Sequence, residues 1–214
     1  AFWLDKGTTL YNTLAGYMRE VLFPAGYVEV RTPLVYNKAL WERSGHWKHY
    51  RENMFLIESE GETLSVKPMN CPGHFLTFAS QVRSYRDLPV RFHEQTPLHR
   101  NEASGVLSGL TRVRQFSQDD AHCFVMEEQI GDEVERLIRL VQRVYGDFGL
   151  EFSAKLSTRP DEFLGEVATW DHNVVAYLEL LRLSYTGSNS RGLLLSRDKA
   201  LAKKVFKQHG ILTP

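Results

Sequence analysis

An α+β domain built on a mainly antiparallel sheet is the fold the sequence predicts, and three observations point to it. Two stretches carry apolar residues at helical spacing, one near the start and one after residue 129. Between them, residues 88–124 read as a long antiparallel pair, with shorter alternating segments before it. Helices set before and after strands, rather than alternating with them, favour a sheet with helices flanking it over a doubly wound fold.

The elements follow in chain order. Leu10, Leu14, Tyr17, Met18, Val21 and Leu22 share one helical face, and Pro24 with Gly26 ends the pattern, so residues 8–23 are expected to form an amphipathic helix. In YVEVRTPLV, Val28 and Val30 alternate with charges, and Pro33 demands an edge, a bulge or an interface. Trp41, Trp47, Tyr50, Met54 and Phe55 read first as core aromatics and packing residues, and ETLSVKP reads as a strand. LPVRFHEQTPLHR and TRVRQFSQDDAHCF flank EASGVLSGL, a loop long enough for a functional role. Strand alternation puts Gln118, Asp120 and His122 on one face, and Arg100 with Glu102 on another at the end of the first strand. Three polar groups in a row either meet solvent or line a polar pocket. Ile130, Val134, Leu137, Ile138, Val141, Tyr145 and Phe148 then form a second helical face closed by Gly149, and LEFSAKLS reads as a last strand.

Composition narrows the function classes. With 43% hydrophobic and 24% charged residues, the chain reads as soluble and globular. No apolar run approaches the roughly 18 residues of a membrane span, and AFWLDKGTTLYN lacks a signal-peptide pattern, so a cytoplasmic location without a membrane partner is expected. Neither GxxxxGK followed by Ser or Thr nor GxGxxG occurs, so any nucleotide must be held another way. Charge is balanced overall, yet residues 1–172 hold 19 Lys plus Arg against 24 Asp plus Glu, whereas residues 173–214 hold 7 against 2. That break suggests a join near His172, and neither part is basic enough to imply nucleic acid on charge alone.

KPMNCPGHFL concentrates prolines, a glycine, Cys71 and His74 in a segment ill suited to a helix interior. Cys123, the other cysteine of the chain, adjoins His122, and both thiols are expected to be reduced. Gly73 stands where a CxxCH haem motif needs a second cysteine. From the residues alone, Cys71 and His122 are either a metal-binding pair or two ordinary buried side chains.

Taken together, WERSGHWKHYRENMF, KPMNCPGH, SYRDLPVRF, LHRNEASG, GLTRVRQFSQDDAH, EEQI and LSTRP resemble the catalytic core of the threonyl-tRNA synthetases, class II aminoacyl-tRNA synthetases. The resemblance covers residues 1–172. It implies an antiparallel sheet flanked by helices and a two-step reaction, in which threonine and ATP, entering with Mg²⁺, give threonyl-adenylate for transfer to tRNA. By resemblance Arg100 and Arg112 are the catalytic cations at the ATP phosphates, and Glu102 faces the adenine. Met69, Gln118 and Asp120 line the amino-acid pocket, while Cys71 and His122 are zinc ligands and His74 is not. The first helix and the Pro33 strand resemble the motif 1 dimer interface, implying a homodimer.

The same resemblance would supply a third zinc-binding histidine and a motif 3 arginine further on, and neither is found before the chain changes character after GEVATWDH. The fold is thus expected to be truncated before motif 3 and the zinc ligand set to be incomplete. Residues 173–214 resemble a short segment of D-alanine–D-alanine ligases of the ATP-grasp family, where Lys199 would approach ATP; the plain alternative is a loop and a basic amphipathic helix. Two functions follow: a threonine–tRNA ligase-type core, or a non-catalytic paralogue or fusion product that binds ATP, an amino acid or a protein partner.

Overall fold

Helix α1 runs Asp5–Leu22, starting earlier than the apolar spacing predicts because Thr8 N already donates to Leu4 O and Asp5 places a carboxylate in the first turn. Residues 1–154 are described by the computed structural model, and they fall in two units, Ala1–Phe124 and one beginning at Val125. Val21 and Leu22 are buried, while Leu10 and Leu14 near the other end of the expected apolar face stay exposed. Gly26, at φ +84°, makes the turn into β1, Tyr27–Glu29, a conformation that glycine adopts freely. The helix is tied to the strands by the Arg19–Glu29 pair, with bonds of 2.8 and 3.0 Å, and by Gln95 Nε2 donating to Ala15 O at 2.9 Å.

Two three-stranded sheets make up the first unit. One holds β1, β5 (Val90–His99) and β6 (Gln115–Phe124), with β5 in the middle, parallel to β1 and antiparallel to β6. The antiparallel pair that the sequence predicts is present, and it is in register from Val90↔Phe124 to His99↔Gln115. The other is antiparallel throughout, with β4 (Glu62–Val66) between β2 (Val35–Asn37) and β3 (Phe55–Ser59). Pro33 falls between β1 and β2, where no ladder hydrogen bond is lost. Short helices α2 (Lys38–Arg43) and α3 (His46–Tyr50) follow β2. Of the aromatic stretch, Trp41 is fully buried against Tyr36 and His46, whereas Trp47 lies under the cations of Lys38 and Arg51.

KPMNCPGHFL becomes the entry to α4, Cys71–Ala79, with Pro72 in the first turn, where its missing N–H costs nothing. In the second unit α5 runs Ile130–Asp147 and closes at Gly149 with φ +65°, as its pattern predicts. Residues 150–154 form no strand, contrary to the reading of LEFSAKLS, whose remainder lies outside the described residues.

The sheets are joined by a buried ion pair. Lys67, just after β4, and Glu94, in the middle of β5, are 0% and 1% exposed, with Nζ 3.0 Å from Oε1. Thr32, between β1 and β2, completes the junction: its N–H donates to Glu94 Oε1 and its hydroxyl to Oε2, both at 2.8 Å, and Lys67 Nζ donates to that hydroxyl at 2.8 Å. Backbone bonds run alongside, Lys67 N to Leu34 O at 2.8 Å and His99 N to Lys67 O at 3.1 Å. Burial pushes the Glu94 carboxyl up, but hydrogen bonds from His74, Thr32 and Lys67 outweigh it and bring it down to about 2.

Two outcomes are expected. A Cβ on Gly73 would lie 2.5 Å from Tyr36 Oη and 3.1 Å from Thr32 Cβ, so Gly73→Ala should lower urea-unfolding stability by roughly 1–3 kcal/mol of overpacking strain. A carboxyl held below its ordinary 4.5 stabilises the fold above that value and ceases to do so as pH falls through about 2. Between about pH 5 and pH 2 the chain should therefore lose about 3 kcal/mol through Glu94, and Glu94→Gln should flatten that part of the pH–stability curve.

Candidate active site

Strand alternation on β6 sorts its side chains between two chemistries. Asp119 faces α1, where its carboxylate accepts from Gln95 Nε2 at 2.7 Å and lies 3.0 Å from His93 Nδ1. A cavity of about 390 Å³ on that side is walled by Trp3, Leu10, Leu14, Met18 and Val113; Gln118, which alternation puts on the strand face of Asp120 and His122, is the one expected site residue that also reaches its lining. Asp120 and His122 face α4 instead: Asn70 Nδ2 donates to Asp120 Oδ2 at 3.1 Å, and His74 Nδ1 is 2.8 Å from His122 Nδ1.

α4 begins at this face. Asn70 and His74 are 1% and 0% exposed, and Cys71, a free thiol, is half-buried between them in sequence. Met69 is half-buried in the turn before it. Burial pushes the Cys71 thiol up, and the Asp120 carboxylate adds to the effect. Burial pushes the His122 imidazole down; Asp120 opposes this and His74 reinforces it. The pair therefore starts as a thiol and a neutral imidazole.

The zinc expected at Cys71 and His122 is a question of donor chemistry. Zinc takes a thiolate and a neutral imidazole from protein, so Cys71 would have to release its proton on binding. His122 engages His74 through Nδ1, which leaves Nε2 for a ligand. Yet no group of three His, Cys, Asp or Glu placed to hold a metal ion occurs among the described residues, and His172 and His209 lie beyond them. Cys71 and His122 are donor types that suit such an ion, and they do not make up a complete set among the described residues.

The loop between β5 and β6 holds the cations. β5 ends at His99, so Arg100 and Glu102 sit in the loop and not, as the sequence suggests, on the strand face. Arg100 is fixed by three contacts: its Nε donates to Pro68 O at 3.3 Å, and its guanidinium lies 4.9 Å from the Phe116 ring centre and 5.8 Å from that of Tyr50. Arg112, exposed, donates to Glu102 Oε2 at 3.0 Å, and Arg114 Nε donates to Glu102 O at 3.0 Å. Two side chains expected to meet ATP thus meet each other.

Lys67, Asn70, Thr32 and Glu94 are the part of the site that the sequence reading missed. A signal was present: Phe92, Glu94, Thr96 and Leu98 form one buried, same-facing row on β5, and a carboxylate inside such a row requires a buried partner. Lys199 and the tail lie outside the described residues.

Comparison with known proteins finds relatives along most of the chain. The profile of the tRNA synthetase class II core domain (G, H, P, S and T) matches residues 55–193, running past the join expected near residue 172. A threonine–tRNA ligase of Myxococcus xanthus is 54% identical over 191 residues, 86% of this chain and 30% of that protein. The cytoplasmic threonine–tRNA ligase of Saccharomyces cerevisiae is 55% identical over 170 residues, 79% of this chain and 23% of that protein. A crystal structure described as the RNA binding domain of threonyl-tRNA synthetase from Cryptosporidium parvum superposes with a TM-score of 0.83 at 41% identity, covering 88% of this chain and 48% of that one. A Giardia lamblia prolyl-tRNA synthetase shares the fold at a TM-score of 0.61 and 23% identity over 67% of this chain. The chain thus spans less than a third of the threonine–tRNA ligases named here. With an antiparallel hairpin, an arginine-bearing loop between its strands and a profile match over most of its length, the chain belongs to the class II tRNA synthetase core-domain family.

Proposed function

We propose that this chain is part of a threonine–tRNA ligase, the portion that meets the ATP phosphates and the amino acid during adenylate formation. The observation carrying the reading is Arg100, fixed between Phe116, Tyr50 and the Pro68 carbonyl beside the polar face of β6. A guanidinium already held in place meets the charge that develops on the α-phosphorus without reorganising, which is where a fixed donor accelerates most. Arg112 is the second cation; it exchanges its Glu102 partner for phosphate when ATP, with Mg²⁺, enters. Glu102, once released, turns to the adenine.

Met69, Gln118 and Asp120 border the amino acid, with Asp120 held by Asn70 to accept a hydrogen bond from its amino group. Cys71 and His122 would hold zinc, which when bound supplies a Lewis-acid position for the amino and hydroxyl groups of threonine. Selection by the hydroxyl suits the task, because an apolar pocket separates threonine poorly from isosteric valine, while a site built for the hydroxyl rejects an analogue lacking it. The remaining assignments belong to the same proposal: tRNA as acceptor, a homodimer through α1 and the segment around Pro33, a cytoplasmic location, and a division into residues 1–172 and a basic tail of residues 173–214. Among the described residues no helix is long and apolar enough to cross a membrane.

Binding of MgATP to the full chain, followed by calorimetry, tests the site. Arg100→Ala or Arg112→Ala should each remove a charged contact of roughly 1.5–3 kcal/mol, about ten- to hundredfold in affinity. A non-hydrolysable threonyl-adenylate analogue should bind more tightly than its valyl counterpart. Unchanged ATP affinity in both variants would place the nucleotide elsewhere.

A further inference from the structure

His74 lies wholly inside the protein, and the proposed reaction assigns it nothing. Its two ring nitrogens are nonetheless both engaged, Nε2 with Glu94 Oε2 at 3.2 Å and Nδ1 with His122 Nδ1 at 2.8 Å. Nothing about packing requires this: the ring also meets Phe92 edge-on, as a phenylalanine could. The polar contacts have a direction, because an ionised carboxylate only accepts hydrogen bonds. Glu94 therefore accepts a hydrogen bond from the N–H at His74 Nε2.

Lys67 already balances the Glu94 charge at 3.0 Å. Two Nδ1 atoms 2.8 Å apart hold one proton between them, because two N–H groups cannot face each other at that distance. In the neutral ring, a proton on Nε2 makes Nδ1 an acceptor. His122 must then donate from its own Nδ1, and its Nε2 is left as a bare lone pair.

We propose that Lys67, Glu94 and His74 form a buried relay of positioning residues that locks His122 in the Nδ1–H tautomer, presenting its Nε2 lone pair to a divalent, thiolate-accepting metal ion. The use of that lone pair rests on the zinc reading above; the tautomer does not. Metal-binding histidines commonly give their second nitrogen to a carboxylate or carbonyl. Here a second histidine is interposed, so the carboxylate acts on His122 from one residue further away.

The full-length chain tests this in two independent readouts, nitrogen-15 NMR of the His122 ring without metal and titration with cobalt(II) followed by visible absorption. In the unsubstituted protein the His122 proton is expected on Nδ1. His74→Phe keeps the ring shape but cannot accept, so His122 should move towards the Nε2–H form and cobalt(II) affinity should fall about ten- to hundredfold. His74→Gln can donate to Glu94 and accept from His122, and should retain both the tautomer and the affinity. A proton on His122 Nε2 in the unsubstituted chain overturns the relay, even if His74→Phe fails to fold. An unchanged tautomer and affinity in His74→Phe overturn it equally. The expected tautomers without cobalt(II) binding to any of the three proteins would support the relay and refute the metal reading.

Discussion

One buried ion pair sets the terms for the rest of the first unit. Lys67 and Glu94 are taken out of water where the two sheets meet, and each ion so placed forfeits several kcal/mol of hydration. Such a pair adds little net stability, but either partner left alone would be a bare charge in the interior. The chain around it is therefore constrained. Thr32 must offer both its N–H and its hydroxyl, the turn after β4 must deliver Lys67, and the β5–β6 register must hold Glu94 inward.

That constraint extends to the chemistry. Glu94 also fixes His74, which sits on the first turns of α4 and touches His122 on β6. Cys71 lies three residues before His74 on the same short helix, and Asp120 lies opposite Glu94 in the hairpin. The proposed zinc and amino-acid contacts are thus one step from the ion pair. Gly73 completes the fit, since Tyr36 and Thr32 approach the helix where a side chain would otherwise stand. The phosphate side is built differently: Arg100 depends on aromatic faces and a carbonyl, and Arg112 on an exposed pairing with Glu102.

The sequence made the hairpin and both long helices legible because their signals are local, an alternation or a helical stripe written in adjacent residues. It also placed Asp120 and His122 together, which needs only strand geometry. It misjudged where an apolar face would stay uncovered and where a strand would end. Leu10 and Leu14 lie on the predicted apolar face of α1 yet remain exposed, and Arg100 leaves the strand because β5 stops at His99. Lys67 and Glu94 escaped notice because their partnership spans different elements, and no spacing rule links a lysine after one strand to a glutamate within another. The N-terminal proline of α4 looked like a helix breaker, although at that position it is a helix starter.

A double-mutant cycle on Lys67 and Glu94, read by urea unfolding of the full chain, tests most directly whether this pair organises the fold. Lys67→Met and Glu94→Gln should each cost about 3–5 kcal/mol, because each strands a buried partner. The double variant should cost far less than the sum, with a coupling of about 2 kcal/mol or more. Additive losses within about 0.5 kcal/mol would mean that the two side chains act independently, and would contradict the account.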